Sequence, residues 1–210
     1  MKPSFPAGSP PTPEFLPSLP QLMRYFTGVL RLMAGRRDGL QRLDISPDGF
    51  WSSFGAIVVA LPPMALSWIE YEFVEREWPF GASTFSTYGA HALSDLTAWL
   101  LPLLILMLVA PRIGLRRKVG PIIVALNWTG ALLAWALVPL WFLMIVTGGS
   151  GFAILLLFLA SLATLFLTWR VVSLAGDCDP LAAAGIVALM VVTSVMAPVA
   201  VVDMTGIALL

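Results

Sequence analysis

Five apolar runs, roughly residues 50–69, 91–110, 121–146, 152–174 and 182–202, constrain this chain more than any other feature. Each has about 20 residues, and at a rise of about 1.5 Å per residue a helix of that length crosses a hydrocarbon core of about 30 Å. Composition agrees: 59% of the 210 residues are apolar and 11% charged, whereas a soluble domain carries roughly 25% charge. That apolar excess is too large for one soluble core. Inside lipid a backbone must bond to itself, which leaves helices for runs of this kind. The expected fold class is therefore all-α, a polytopic integral membrane protein with five transmembrane helices in a domain spanning residues 44–210.

The formal net charge of zero gives no general attraction to nucleic acid, yet the charge is strongly polarised along the chain. Of twelve Lys and Arg, six precede Asp44 and four crowd into residues 112–118. Cytoplasmic loops collect Lys and Arg. With the amino end in the cytoplasm, eleven basic residues fall inside and Arg76 alone outside. An odd number of spans then leaves the carboxyl end outside, and the expected location is the cell membrane, a bacterial inner membrane. The outer link after the first span carries Glu70, Glu72, Glu75 and Glu77 among aromatic residues. Several carboxylates can gather a hard cation, but an outer loop poor in basic residues is what orientation alone requires, and aromatic residues there fit an interfacial belt.

Residues 1–20, MKPSFPAGSPPTPEFLPSLP, are rich in proline and lack the contiguous apolar stretch of a secretory signal; they read as a disordered cytosolic tail. In residues 21–43, Leu22, Met23, Phe26, Val29, Leu30 and Met33 recur at helical spacing, with Arg24, Thr27 and Arg31 opposite. Two readings stay open. One is an amphipathic helix in the membrane interface, where Arg24, Arg31, Arg36, Arg37 and Arg42 meet anionic lipid head groups at about 1 kcal/mol per charge. The other is a helix packed on the protein's own spans.

Two adjacent prolines, Pro62 and Pro63, interrupt the first run in IVVALPPMALSW. A proline inside a soluble helix costs about 3 kcal/mol or more. Membrane spans tolerate it when neighbours, hydroxyls or waters take up the freed carbonyls. The run crosses only if it continues through both prolines, so they read as a kink near mid-span, with Ser67 as a nearby hydroxyl.

Cys178 and His91 are each the sole residue of their type, which excludes an intrachain disulfide and leaves no multi-His or Cys-cluster metal site. No phosphate-binding glycine loop, paired-histidine metal motif or nucleophile elbow occurs, and no cofactor is implied. The remaining polar positions inside spans are the candidate site. His91 and Asp95 share a helix face and can relay a proton; with the apolar core beginning at Leu96, the structural reading places Asp95 near the head groups. Asn127, the deepest strongly hydrogen-bonding side chain of the third span, reads as glue between helices worth roughly 0.6–2 kcal/mol. Ser161, Thr164 and Thr168 share one face of the fourth span, and Ala184, Gly185 and Ala188 of the fifth predict a close packing seam.

The order of parts, a proline-rich tail, an amphipathic helix and five spans, resembles the Ypt-interacting, or YIP-type, family of small five-span membrane proteins. The stretch GLQRLDISPDGFWSSFGAIVVALP, residues 39–62, is similar to the entry of the first span in its bacterial branch. Eukaryotic members are associated with small GTPases and membrane traffic; no docking motif is visible here, and the resemblance transfers no functional residue. The leading expectation is a non-enzymatic scaffold or partner-binding subunit, acting through its basic inner face on a protein partner or as a homo-oligomer. The alternative is a small transporter or transporter subunit, with a polar path formed by Asn127, the Ser161 to Thr168 face, and His91 with Asp95. A reporter that works only outside the cytoplasm, fused after Leu210, is expected to be active; an inactive fusion rules out five spans with the amino end inside.

Overall fold

A computed structural model of the chain describes residues 16–74 and 84–207. The tail to residue 15, the link that carries Glu75, Arg76 and Glu77, and the last three residues lie outside the described part. Among the described residues the chain is helical throughout. It contains α1 (Leu19–Met33), a 3-10 turn over Arg37–Arg42, α2 (Pro47–Ser52), α3 (Gly55–Val74), α4 (Thr84–Val109), α5 (Val119–Thr147), α6 (Gly151–Ala175) and α7 (Pro180–Thr205). Five segments are long and apolar enough to cross a membrane: Pro47–Val74, Ser86–Val109, Val119–Thr147, Gly151–Ala175 and Pro180–Thr205.

The helix ends follow local chemistry. Ser46 accepts from the Gly49 amide and Asp179 from the amides of Leu181 and Ala182, each followed by proline at the first helical position. These side chains satisfy amide donors that a helix start leaves open. At its far end α5 stops on Gly148, whose left-handed backbone (φ 57°) suits glycine.

The bundle is organised around α5. Every residue from Ile122 to Thr129 is buried, with α3 and α6 packed along it and α1 laid against its basic end. α4 pairs mainly with α7 and touches α3 and α5 only sparsely, so the spans leave room between α3, α4, α5 and α7. One core cluster joins Val29 and Leu32 of α1 to Ala56 and Ala60 of α3, Trp128 of α5 and Val171 of α6. A second joins Leu103 and Leu106 of α4 to Ile122 and Leu126 of α5 and Ala183 and Ile186 of α7.

Of the two readings of the amphipathic segment, packing on the spans accounts for one face of α1: Val29, Leu32 and Met33 are buried and Tyr25 stacks on Trp128 at 4.7 Å. The helix ends at Met33, and a turn through Gly35 (φ 84°) folds the 3-10 segment back over α1. There Gly28 and Gly39 meet backbone to backbone: a Cβ on Gly28 would lie 2.9 Å from the Gly39 carbonyl oxygen. Leu19, Met23 and Leu30 remain exposed, so α1 has a second apolar stripe directed away from the bundle.

The expected seam in the fifth span is corrected. Ala184, Gly185 and Ala188 face outward, and α7 packs instead through Ala183, Ile186, Thr193, Ala197 and Val201. Small size alone does not choose a face; the large apolar residues of α4 opposite Ala183 and Ile186 do.

α3 runs unbroken through Pro62 and Pro63. Pro63 supplies no amide to the carbonyl of Val59, four residues earlier. The indole Nε1 of Trp135, on α5, donates to that oxygen at 2.9 Å. Ser67, the expected hydroxyl, donates instead to the Met64 carbonyl at 2.7 Å, because a serine reaches back along its own turn and Val59 lies two turns away. Trp135→Phe, which keeps the ring and removes the donor, is expected to lower stability by about 1 kcal/mol in reversible detergent unfolding. Ser67→Ala is expected to change it by less than ~0.5 kcal/mol. Equal losses in the two variants would contradict this assignment.

Candidate functional site in the bundle interior

α4 carries the polar side chains that enter the bundle. His91, Asp95 and Trp99 follow one another at four-residue spacing, which stacks them on one face. Asp95 is not near a helix end: it lies 11 residues after Thr84 and 14 before Val109, roughly 16 Å along the helix from its start. The helix therefore begins well before the apolar core that the sequence places from Leu96 onward. The polar stretch TFSTYGAHALSD is itself helical, because Thr87, Ala90 and Ser94 are buried and extend the span backwards.

The Asp95 Oδ2 accepts a 2.7 Å hydrogen bond from the Trp68 indole of α3. No other described residue bonds to this carboxylate, and none of the ion pairs among the described residues involves it. His91 makes no hydrogen bond with Asp95. Its ring meets Tyr71 edge-on at 4.8 Å, and its Nε2 is buried with no hydrogen-bond partner among the described residues.

One helical turn further along α4, the Trp99 indole donates to Asn127 Oδ1 at 2.9 Å, and Asn127 Nδ2 donates to the Ser53 hydroxyl at 2.9 Å. The Ser53 hydroxyl in turn donates to the Phe50 carbonyl at 2.7 Å. Asn127 is wholly buried and ties α4, α5 and the junction of α2 with α3, the gluing role expected for it. Gly130 makes the indole position possible, since a Cβ there would lie 2.8 Å from the Trp99 ring.

Asp95, Trp99 and Asn127 form one side of a cavity of about 230 Å³. Met64, Ala98, Leu103, Leu126 and Gly130 supply most of its remaining lining, with Met190 and Ser194 of α7 beside its half-open mouth. Ser194 is an exposed residue at its rim and its hydroxyl makes no hydrogen bond with a described residue. Two lining residues also precede a proline by four positions. Pro102 in α4 and Pro198 in α7 withhold the amides that would serve the carbonyls of Ala98 and Ser194, four residues earlier. Ala98 and Ser194 both line the cavity, and no described side chain donates to either carbonyl.

The serine and threonine face of α6 lies elsewhere. Ser161 is exposed and donates to the Leu157 carbonyl at 2.9 Å, Thr164 donates to the Ser161 carbonyl at 2.8 Å, and Thr168 is half-buried. None of the three lines the cavity. Sequence reasoning missed Trp68, Trp99 and Ser194. The prolines at 102 and 198 were a usable signal for Ala98 and Ser194, because proline-interrupted spans mark places where backbone opens onto a cavity.

The basic end of the bundle is held by its own contacts. Arg31 pairs with Asp38 at 2.9 Å, and Arg36 approaches the same carboxylate at 3.7 Å. Arg37 pairs with Asp177 at 2.9 Å, Arg24 donates to the Arg42 carbonyl at 3.0 Å, and Lys118 donates to the Asp177 carbonyl. Burial pushes the Cys178 thiol above its ordinary range, with Asp179 and Asp177 adding to the rise and Lys118 opposing it; a thiol so shifted is a poor nucleophile at neutral pH. Among the described residues no group of three or more His, Cys, Asp or Glu is placed to hold a metal ion. No family model, curated protein or solved structure matches the chain.

Proposed function

We propose that this is a non-enzymatic multi-pass protein of a cell membrane, a bacterial inner membrane, that binds a small solute between its spans as a transporter or transporter subunit. The observation that carries the reading is the mid-helix carboxylate of Asp95, turned into a cavity beside two proline-interrupted helices. Ionisable groups within spans are costly and mark substrate or ion pathways. Interrupted helices that meet at a cavity supply the backbone acceptors such pathways use.

The amino end lies in the cytoplasm in this reading, supported by the ten basic residues gathered at the end of the bundle that carries α1 and the α4–α5 loop. Arg112, Arg116 and Arg117 are exposed there and, with Arg36, meet anionic lipid head groups, while Leu19, Met23 and Leu30 of α1 enter the interface. The proposal includes kinship with the YIP-type family, supported by the five spans that follow a docked amphipathic helix.

A scaffold acting through its arginines draws less support, because Arg24, Arg31 and Arg37 are engaged within the chain. Flux assays in liposomes of purified protein decide between the two. Solute uptake is expected, and Asp95→Asn, which keeps an acceptor for Trp68, is expected to reduce it at least about tenfold without changing the unfolding transition. A stoichiometric protein partner retained after gentle detergent extraction, with no flux of any solute, would overturn the transport reading in favour of a scaffold.

A further inference from the structure

We infer that the cavity is a binding site for a small organic ammonium ion, with Asp95 as its counter-charge; this rests on the solute-binding reading above and names its ligand class. Sign comes first. The cavity wall carries a carboxylate and no basic side chain, and the ten described basic residues lie outside α3, α5 and α7 or at the far end of the bundle. An unpaired carboxylate in an apolar surrounding is costly, and a bound cation supplies the charge that no described side chain supplies.

Acceptors come second. The lining residues bring the second Asp95 oxygen, which accepts from no described residue, the Ser194 hydroxyl, and two positions, Ala98 and Ser194, whose carbonyls lose the donor four residues on to Pro102 and Pro198. Donors are scarce: the Trp68 and Trp99 indoles already serve Asp95 and Asn127, and the Asn127 amide serves Ser53. That leaves one Asn127 N–H and the Ser194 O–H as free donors beside the carboxylate. With no basic side chain on the wall, the balance of charge matches a ligand that brings a cation with N–H donors, as an ammonium group does, and does not match an anion.

Size and polarity come third. The volume of about 230 Å³ exceeds the roughly 150 Å³ that admits benzene and falls short of the about 300 Å³ at which drug-sized pockets begin. It is too roomy for a bare metal ion without many waters. Met64, Leu103, Leu126 and Met190 give it an apolar side, and the Trp99 ring offers a face that attracts cations. An amine with a compact apolar body meets both sides of the cavity.

Benzylamine, a cation at neutral pH, and benzyl alcohol, its uncharged counterpart of nearly the same shape, are suitable probes. Binding is measured by equilibrium dialysis against the full chain in phosphatidylcholine nanodiscs, with empty nanodiscs subtracted. The amine is expected to bind saturably and at least about tenfold tighter than the alcohol, the smallest effect of a hydrogen bond to a charged group. Asp95→Asn is expected to abolish that preference while alcohol binding holds, Asp95→Glu to retain it in part, and Ala98→Phe, which fills the cavity, to remove both. Equal affinity for the two probes, a preference that survives Asp95→Asn, or no saturable amine binding would each overturn the inference. Saturable amine binding without flux of any solute would retain the site and remove transport; flux of a neutral or anionic solute without amine binding would do the reverse.

Discussion

In a bilayer a backbone carbonyl that loses its helical donor has no water to turn to, so another part of the protein must serve it. This chain places prolines inside four of its five spanning helices, α3, α4, α5 and α7. Three of these prolines have a definite setting. On α3 the opening that Pro63 leaves at Val59 is repaired by the Trp135 indole, which reaches across from α5. On α4 and α7 the openings fall on residues that line the cavity. Two prolines whose preceding turns line one cavity beside a carboxylate are the coincidence on which the proposed binding site rests.

Indole nitrogens do much of the polar work. Trp68 holds Asp95, Trp99 holds Asn127, Trp135 holds Val59 and Trp169 donates to the Pro180 carbonyl at 3.0 Å. Tryptophan suits this role because it buries a large apolar ring and carries one directed donor. The consequence for the cavity is electrostatic. The Trp68 indole holds one oxygen of Asp95, a residue that lines the cavity, and leaves the other without a described donor. Placing a group in advance in this manner lowers the ordering cost of binding.

The helices themselves were legible in the sequence because membrane spans declare themselves by length and hydropathy; each expected run lies within or close to a helix of the structure. The largest displacement, at α4, mattered most. The span begins before His91 because Thr87, Ala90 and Ser94 pack inward, and polar residues that face protein are invisible to a hydropathy reading. Asn127 was legible as a tie between helices, though its partners were not, since Ser53 and Trp99 stand 74 and 28 residues away. The serine and threonine face of α6 lies away from the cavity. A hydroxyl in a helix satisfies itself on the preceding turn, as Ser161 and Thr164 do, and so can face lipid at little cost. Periodicity identifies a face and leaves open what the face meets.

The central claim is that a cation-accepting cavity opens beside Ser194. It is tested most directly by the thiol reactivity of Ser194→Cys in a Cys178→Ser background, with the protein in liposomes. Ethylammonium methanethiosulfonate is expected to modify that thiol faster than the anionic ethylsulfonate reagent does, and benzylamine is expected to slow the reaction. Equal rates for the two reagents, or a thiol inert to both because position 194 faces only lipid, would contradict the account.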